Sequence, residues 1–335
     1  MSAVALPIYL DNQATTRCDP RVLERMLPYF SEHYGNAASK THSYGWMAEA
    51  AVDLAREQVA ASIGANASEI VFCSGATEAN NLALRGIAEA YAARGKHIVV
   101  AASEHPSVID CARDLERQGW VLSIVPVGED GRIESDVLVA ALRETTTVVS
   151  IMLVNNETGV IADVAALAKA VHEAYPKAIV HCDAVQALGK IPIDVAELGV
   201  DALTISAHKV YGPKGIGALW RRRRPRLVVQ AQIHGGGHES GLRSGTLPVP
   251  LIVGFGAACE LAAAERETES LRIAELRDRL LQGLQDAVGG IAVNGSSEHR
   301  IAGNLNIAVQ GVPADVLLTE ASGVAMSTGS ACSSA

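Results

Sequence analysis

Two short apolar stretches in the middle of the sequence lead to side chains that could carry acid–base and covalent chemistry. Residues 178–182 lead to Asp183, and residues 201–206 lead to Lys209. Short apolar runs that end in polar residues are typical of buried parallel strands. Ligands of open α/β sheets bind outside the carboxyl ends of such strands. We therefore expect Asp183 and Lys209 to face one crevice.

An acid and a lysine in one crevice meet the needs of pyridoxal phosphate. This cofactor takes a lysine for its Schiff base and an acid at its pyridine nitrogen. Asp183 would keep that nitrogen protonated, and Lys209 would form the Schiff base. Gln186 could donate to the phenolic oxygen, while Ser206 and His208 could hold the phosphate. Taken alone, the Ser-Ala-His-Lys stretch is better explained by a solvated lysine. The combination of Asp183, Gln186 and Lys209 favours the cofactor.

Strands and helices alternate from Glu69 to Trp220, which predicts a doubly wound α/β core. No G-x-G-x-x-G follows the first strand of this region, so the pattern disfavours a dinucleotide-binding fold. Gly75, Ala76 and Thr77 lie between a strand and a helix start, where free backbone N–H groups could bind an anion. The same pattern by itself is more often an ordinary capped helix.

Polar residues also follow two other predicted strands. His105 follows residues 97–102, and a polar cluster at 155–159 follows residues 148–154. In a parallel sheet both would reach the edge that carries Asp183. An imidazole near neutral pKa can move protons there. A lone histidine at a strand end is more often structural, so the position of His105 alone does not decide its role.

Composition narrows the class of protein. The chain has 335 residues, 49% hydrophobic and 19% charged, which is enough for two lobes. Its net charge of −9 argues against a nucleic-acid binder, and the basic run 221–224 fits a solvated strand end. No stretch is long and apolar enough for a membrane span, and the N-terminus lacks signal-peptide features. The six cysteines are widely spaced, so we expect reduced thiols and a cytoplasmic protein.

The blocks DAVQALGKIPID and SAHKVYGPKGIGALW resemble the cysteine desulfurases, pyridoxal-phosphate enzymes of the class V aminotransferase family. The match extends from YLDNQATT to STGSACSSA, which is essentially the whole chain. The resemblance implies an α/β fold of type I, in which a mainly parallel sheet is flanked by helices. It implies a large cofactor-binding domain at residues 15–258. A smaller α+β domain would comprise residues 1–14 and 259–335, without its C-terminal part.

The resemblance also assigns roles to residues. It implies that Gly75, Ala76 and Thr77 form the phosphate turn, and that His105 stacks on the cofactor ring and moves protons. Asn156 is the member of the 155–159 cluster that the family pattern selects for the cofactor. The glycine-rich loop at 232–248 would reach the partner subunit, where Thr246 would contact the other cofactor's phosphate. The resemblance therefore implies a homodimer; from the residues alone, this loop could equally be flexible and exposed.

Residues 326–335 form a small, polar, glycine-containing stretch around Cys332. A cysteine in such a loop is a plausible nucleophile. The stretch resembles the Ser-x-Gly-Ser-Ala-Cys loop of one desulfurase group. This implies that L-cysteine is converted to L-alanine and a persulfide on Cys332, with Lys209 removing the α-proton and His105 moving protons at the thiol. The sulfur would pass to acceptor or scaffold proteins for Fe–S assembly or tRNA thiolation. No resident metal is expected, although Cys332 could transiently ligate an Fe–S cluster.

The sequence departs from the family pattern at its end, three residues after Cys332. Family members continue for several tens of residues and supply an arginine for the substrate carboxylate, and no residue here is assigned that role. Two other functions stay open. One is a selenocysteine lyase or another class V lyase, which need not use Cys332. The other is a non-enzymatic cofactor-binding scaffold that presents Cys332 to partners.

Overall fold

The computed structural model describes residues 6–328. The strands of this part of the chain are β1 (Ile8–Tyr9), β2 (Ile70–Cys73), β3 (His97–Ala101), β4 (Val121–Val125), β5 (Thr146–Met152), β6 (Ile179–Asp183), β7 (Ala202–Ser206), β8 (Gly217–Arg221), β9 (Ile291–Val293), β10 (Ile307–Val309) and β11 (Val324–Ala325). The helices are α1 (Pro20–Met26), α2 (Pro28–Ser31), α3 (Ser43–Ala61), α4 (Ala76–Tyr91), α5 (Pro106–Arg117), α6 (Ser135–Ala140), α7 (Val164–Ala174), α8 (Val195–Leu198), α9 (Val249–Ala287) and α10 (Ala314–Glu320).

Within the described residues, the central sheet has seven strands in the order β2-β8-β7-β6-β5-β3-β4. The β7-β6, β6-β5, β5-β3 and β3-β4 pairs are parallel, whereas β8 is antiparallel to both β2 and β7. Six strands therefore end at the same edge, and β8 begins there. This arrangement confirms the predicted α/β fold with a mainly parallel sheet.

Alternation along the strands places apolar side chains on both faces of the sheet. Ile98 and Val100 pack with residues of α4 and α5, whereas Val99 packs with residues of α3, α7 and α9. A strand that is buried on both faces has no polar alternation, which explains its continuous apolar run. The sheet is thus the middle layer of three, and its carboxyl edge stays accessible at the ends of the strands.

A smaller set of elements follows the central sheet in the sequence. Helix α9 is 39 residues long and leads to the antiparallel pair β9 and β10, while β1 pairs with β11 in parallel. Residues 299–304 bond back to the loop after β5, where Ile301 N donates to Gly159 O at 3.0 Å. The helix runs without a break through residue 258, and the division into two domains there stays a prediction.

Asp19, followed by a proline at residue 20, predicts the start of a helix that runs to about Phe30. In the structure this helix is broken. Asp19 caps α1 as predicted, but the chain forms a separate short helix from Pro28, with Leu27 as the residue between the two. Proline lacks the N–H that would continue the first helix, and its ring clashes with the preceding turn. The proline at residue 20 causes no break because it lies in the first turn, where the N–H is not needed.

No helix among residues 6–328 is long and apolar enough to cross a membrane. The same residues contain no cluster of three or more metal-ligating side chains. Their five cysteines form no disulfide.

Candidate active site

Asp183 ends β6 at the carboxyl edge of the sheet and is 3% exposed. Its Oδ2 accepts a hydrogen bond of 2.9 Å from Asn80 Nδ2, and its Oδ1 accepts one of 3.0 Å from Val185 N. Burial raises the pKa of Asp183, and the hydrogen bonds from Asn80 and Val185 and the nearby Lys209 oppose that rise. The carboxyl is therefore held in one orientation by donors that favour its charged form.

Asn80 links Asp183 to a second predicted site residue. The Asn80 Nδ2 group also donates to Ser107 Oγ at 2.9 Å, and Ser107 Oγ lies 2.8 Å from His105 Nδ1. The amide nitrogen has two hydrogens, so it can donate to both partners at once. A continuous hydrogen-bonded path therefore joins Asp183 to His105 through two residues that the sequence analysis did not select.

His105 caps the N-terminus of α5 with its own side chain. Ser107 N donates to His105 Nδ1 at 3.1 Å, so this ring nitrogen must be an acceptor. Burial lowers the pKa of His105, and Lys209 lowers it further, whereas Asp183 raises it. In the neutral ring the proton is then on Nε2, the nitrogen that faces away from the cap. His105 can give or take a proton at Nε2 without losing its anchor.

Lys209 and Gln186 meet at the turn that follows β1. Lys209 Nζ donates to Gln13 O and, at 2.8 Å, to Ala14 O. Gln186 is 3% exposed, and its Nε2 donates to Gln13 O at 2.9 Å. The carbonyl of Gln13 thus brings together two side chains that come from different strand ends. Asp183 ends β6 and Lys209 follows the end of the neighbouring parallel strand β7, so both residues lie at the same edge of the sheet.

The predicted phosphate site forms where β8 separates β2 from β7. Cys73 pairs with Gly217, and Gly217 pairs with Ser206, so the ends of β2 and β7 lie on either side of the start of β8. A Cβ on Gly217 would stand 2.9 Å from the Cα of Gly75 and 2.8 Å from Ile205 O. Such contacts are closer than real Cβ atoms make, so only glycine allows this approach.

Helix α4 begins at this point, at Ala76, and no side chain caps its N-terminus. Gly75 has a φ of 156°, and a Cβ on it would meet nothing within 4 Å, so the space in front of the helix is open. The free N–H groups of a helix start, with Thr77 in the first turn, favour an anion there. The glycine turn and Ser206 are therefore brought together as predicted.

The side chain of His208 is fixed by a neighbouring loop. Its Nδ1 lies 3.2 Å from Thr15 Oγ1, and its backbone carbonyl accepts from Thr16 N at 3.0 Å. Burial lowers the pKa of His208 to about 4, with Lys209 adding to the effect. The imidazole is therefore neutral at pH 7 and can act toward a phosphate as a hydrogen-bond donor, not as a counter-charge.

Asn156, Thr246 and Cys332 differ in what the structure says of them. Asn156 is buried after β5, beside Asn155, whose Oδ1 accepts from Glu157 N and Thr158 N. Thr246 is exposed on its own chain. Cys332 lies outside the described residues, so its role as nucleophile stays a prediction.

Two partly buried ion pairs hold the loop that carries Thr246 against the sheet edge. Arg56 bonds Glu239, whose side chain is 1% exposed and also accepts from Phe72 N at 2.7 Å. Arg243 Nε donates to Glu78 Oε1 at 2.8 Å, in the first turn of α4. The loop is thus tied to the glycine turn of its own chain on one side, while Thr246 points outward as an exposed residue.

The residues that the sequence analysis missed are buried polar side chains that act on the predicted ones. Asn80 lies on the same face of α4 as Ala83, Leu84 and Ile87. A polar residue within such an apolar stripe is a sequence pattern that could have identified Asn80 as a buried polar residue. Glu104 precedes His105 and is 5% exposed. Burial, with the charge of Asp183, raises the pKa of Glu104 well above its usual value.

Comparison with known proteins gives one consistent result. Residues 8–335 match the aminotransferase class-V family. The chain is 53% identical over 98% of its length to a protein of Anaeromyxobacter dehalogenans (strain 2CP-C) named cysteine desulfurase IscS, of which it covers 81%. It is 47% identical over 99% of its length to a Homo sapiens protein named cysteine desulfurase, of which it covers 72%.

Solved structures agree with the sequence relatives. A structure named NifS-like protein superposes with a TM-score of 0.91 at 37% identity, covering 95% of this chain and 87% of that one. A structure described as SspA in complex with cysteine has a TM-score of 0.85 at 33% identity, covering 98% and 90%. On this evidence the chain belongs to the aminotransferase class-V family, whose members depend on pyridoxal phosphate.

Proposed function

We propose that this chain is a pyridoxal-phosphate-dependent cysteine desulfurase. The observation that carries the proposal is the meeting of Asp183, His105 and Lys209 at one sheet edge. This meeting occurs in a chain 53% identical to a protein named cysteine desulfurase. An acid, an imidazole and a lysine at this edge are the groups that pyridoxal phosphate chemistry requires.

The residues of the site fit this cofactor. Asp183 is a buried carboxylate that already has donors on both oxygens, so it can hold one more proton-bearing group at a fixed position. The glycine contact between Gly217 and Gly75 leaves open space in front of α4, where a phosphate would meet free N–H groups. When bound, the cofactor supplies an electron sink for the substrate's α-carbon.

Each side chain of the site would have its own role toward the cofactor or the substrate. Asp183 would hold the proton of the pyridine nitrogen, and Gln186 would donate to the phenolic oxygen. Lys209 Nζ would take the α-proton of the substrate, because an amine held by two carbonyls in the crevice has one fixed position. His105 would stack on the ring and move a proton at Nε2, since its Nδ1 is already engaged by Ser107. Asn156 would contact the cofactor from the β5 side.

Cys332 would take the sulfur. Its thiolate attacks the Sγ of the substrate cysteine, a sulfur–sulfur bond forms, and the bond between Sγ and Cβ breaks. The electron pair of that bond goes to Cβ, which accepts a proton and leaves as part of L-alanine. The persulfide on Cys332 then carries the sulfur to an acceptor protein in Fe–S cluster assembly or tRNA thiolation. No external oxidant is required, because the two-electron oxidation that forms the sulfur–sulfur bond is balanced by the reduction of Cβ, whose bond to sulfur is replaced by a bond to hydrogen.

The first test is the absorbance of the purified protein with pyridoxal phosphate, before and after addition of L-cysteine, with alanine measured in parallel and sulfide measured in the presence of a thiol reductant that releases it from the persulfide. A visible band that changes on addition of cysteine, with both products formed, is expected. Lys209→Ala should lack the visible band that depends on the lysine. If Lys209→Ala still shows that band, the assignment of the cofactor site is wrong.

Replacement of Cys332 by Ser separates the desulfurase from its rivals. We expect the variant to bind the cofactor normally and to form no persulfide, whereas the control Cys18→Ser should behave like the parent protein. Unchanged release of alanine from L-selenocysteine or L-cysteine in Cys332→Ser would support a lyase that does not use this thiol. Cofactor binding without any turnover in the parent protein would support a scaffold that presents Cys332.

We also propose that the chain acts as a homodimer. The first three helices and the segments between them expose large apolar side chains, namely Leu23, Leu27, Phe30, Tyr34, Trp46, Met47 and Leu54. An apolar surface of this kind marks an interaction site more often than a solvated face. Thr246 is exposed on a loop that is anchored by two partly buried ion pairs, which favours its use by a second copy of the chain.

The dimer can be tested by sedimentation over a range of protein concentrations. The double change of Leu27 and Phe30 to Glu should shift the protein toward monomer and weaken cofactor binding, because Thr246 would no longer meet a partner site. Leu276→Glu, on the exposed side of α9, is the matched control. A dimer that is unaffected by the double change would place the interface elsewhere.

A further inference from the structure

The carboxamide of Gln186 is hydrogen-bonded at both ends, to a donor at its oxygen and to an acceptor at its nitrogen. Lys190 Nζ donates to Gln186 Oε1 at 2.7 Å, and Gln186 Nε2 donates to Gln13 O at 2.9 Å. An ammonium has no acceptor, and a carbonyl has no donor. The carboxamide therefore has one orientation, although the two ends of a glutamine side chain otherwise look alike.

The fold places Lys190 beside Gln186 through a tight turn after β6. The backbone from Ala184 to Ile191 makes helix-like bonds, and Gly189 adopts a φ of 72° within it. A Cβ on Gly189 would stand 2.4 Å from Val210 Cγ2, so the turn packs closely on the segment that follows Lys209. The side chain of Ser270, on α9, donates to Lys190 O at 3.3 Å and holds the turn from the other side.

The charge at this position needs an explanation. Among residues 6–328, no carboxylate forms an ion pair with Lys190, although the residue is partly buried. Burial lowers the pKa of Lys190 to about 7, and the positive charge of Lys209 contributes. Lys190 in turn lowers the pKa of His208, after the larger effects of burial and of Lys209. A half-buried ammonium without a carboxylate partner lowers the stability of the folded protein. The hydrogen bond that Lys190 donates to Gln186 offsets part of this cost.

We propose that Lys190 is a positioning residue, whose ammonium fixes Gln186 so that the second hydrogen of its Nε2 points at the phenolic oxygen of the bound cofactor. The inference rests on the proposed cofactor site and goes beyond it by adding a residue that does not touch the cofactor. Gln186 Nε2 has two hydrogens, and Gln13 O takes one of them. Without Lys190, Gln13 O alone would orient the carboxamide, so the second hydrogen of Nε2 would be held less firmly toward the phenolic oxygen.

The consequence can be read in the cofactor's own spectrum. A donor at the phenolic oxygen stabilises its negative charge, and this favours loss of the proton held at Lys209 Nζ. Loss of the donor makes that proton harder to remove. The midpoint, which is the pH at which half of the visible absorbance change has occurred, therefore moves to higher pH. Lys190→Met should therefore raise the midpoint by about one pH unit. Lys190→Arg, which keeps a cationic donor, should stay close to the parent protein.

The decisive comparison is made in two backgrounds. If Lys190 acts through Gln186, Lys190→Met should shift the midpoint less when Gln186 is already replaced by Ala. We expect less than roughly half of the shift that Lys190→Met causes in the parent protein. An equal shift in both backgrounds would mean that the charge acts directly, and no shift in either would mean that the lysine has no role at the cofactor. Both results overturn the proposal. Absence of any cofactor band in the parent protein would instead overturn the proposed function itself.

A second variant covers the case in which Lys190→Met does not fold. Ser270→Ala removes the hydroxyl from Lys190 O and loosens the turn while the ammonium stays present. The midpoint should move in the same direction by a smaller amount. Thermal unfolding of each cofactor-free variant shows whether the protein is folded. A folded Ser270→Ala variant with an unchanged midpoint would count against the proposal.

Discussion

Asn80 donates a hydrogen bond of 2.9 Å to Asp183, although the two residues are 103 positions apart in the chain. The helix that carries Asn80 starts at the glycine turn, and the strand that carries Asp183 ends in the same crevice. One side chain therefore links the predicted phosphate end of the site to its acid end.

Replacement of Asn80 by Ala should weaken cofactor binding. The Asp183 carboxylate would lose a donor in a buried position, and its pKa would rise further, so its charged form would be harder to keep. A hydrogen bond to a charged group contributes about 2 kcal/mol, which corresponds to roughly a thirtyfold higher Kd. Titration of the cofactor by absorbance measures this. Asn81→Ala, on the partly exposed side of the same helix, should change the Kd little; an equal loss in both variants would mean that α4 itself was damaged.

Gly217→Ala should damage the phosphate site selectively. The added Cβ would meet the backbone of Gly75 at 2.9 Å and push the turn out of place. We expect binding of pyridoxal phosphate to weaken at least tenfold, about 1.4 kcal/mol. Binding of pyridoxal, which lacks the phosphate, should change less. In the control Gly283→Ala no atom stands near the new Cβ, and the helix should gain up to about 1 kcal/mol. Equal weakening for both ligands would contradict a phosphate role for this turn.

Glu104→Gln should stabilise the cofactor-free protein at neutral pH. Burial and the charge of Asp183 raise the pKa of Glu104, so the folded protein keeps a proton that the unfolded chain releases above about pH 4.3. Stability then falls as the pH rises, by about 1.4 kcal/mol per unit, until the folded-state pKa is reached. Glutamine does not titrate, so in urea unfolding the advantage of the variant should grow as the pH rises above about 4.3, up to the folded-state pKa of Glu104. A constant difference between the two proteins would show that Glu104 is ionised in the folded state.

His181 should contribute to acid unfolding. It is fully buried between β5 and β7, within 2.9 Å of Ser150 Oγ and 3.0 Å of Thr204 Oγ1, and burial lowers its pKa to about 3. Below about pH 6.5 the unfolded chain binds a proton that the folded protein refuses, so stability falls as the pH decreases. His181→Gln should reduce this slope by about 1.4 kcal/mol per pH unit between pH 4 and 6. His234→Gln, at an exposed position, is the control; equal slopes for His181→Gln and the parent would refute the assignment.

Much of the fold follows from local patterns. The short apolar runs predicted the central strands to within about two residues at most ends, because strands buried on both faces need continuous apolar side chains. Asp19 predicted a helix start, since its carboxylate can satisfy a free N–H of the first turn. Asp183, His105, Lys209 and Gln186 were recognisable because polar residues directly after buried strands must lie at one edge of a parallel sheet.

The tertiary structure decided what no local pattern contains. The sequence could not show that β8 lies between β2 and β7, because a strand's period does not specify its neighbours. That order alone puts Gly217 against Gly75 and forms the phosphate cradle. Asn80, Gln13 and Lys190 became site residues only when distant segments met, since a hydrogen bond depends on distance and direction. The sequence by itself determined which side chains stand at the strand ends; the packing determined which partners fix them and in which protonation state.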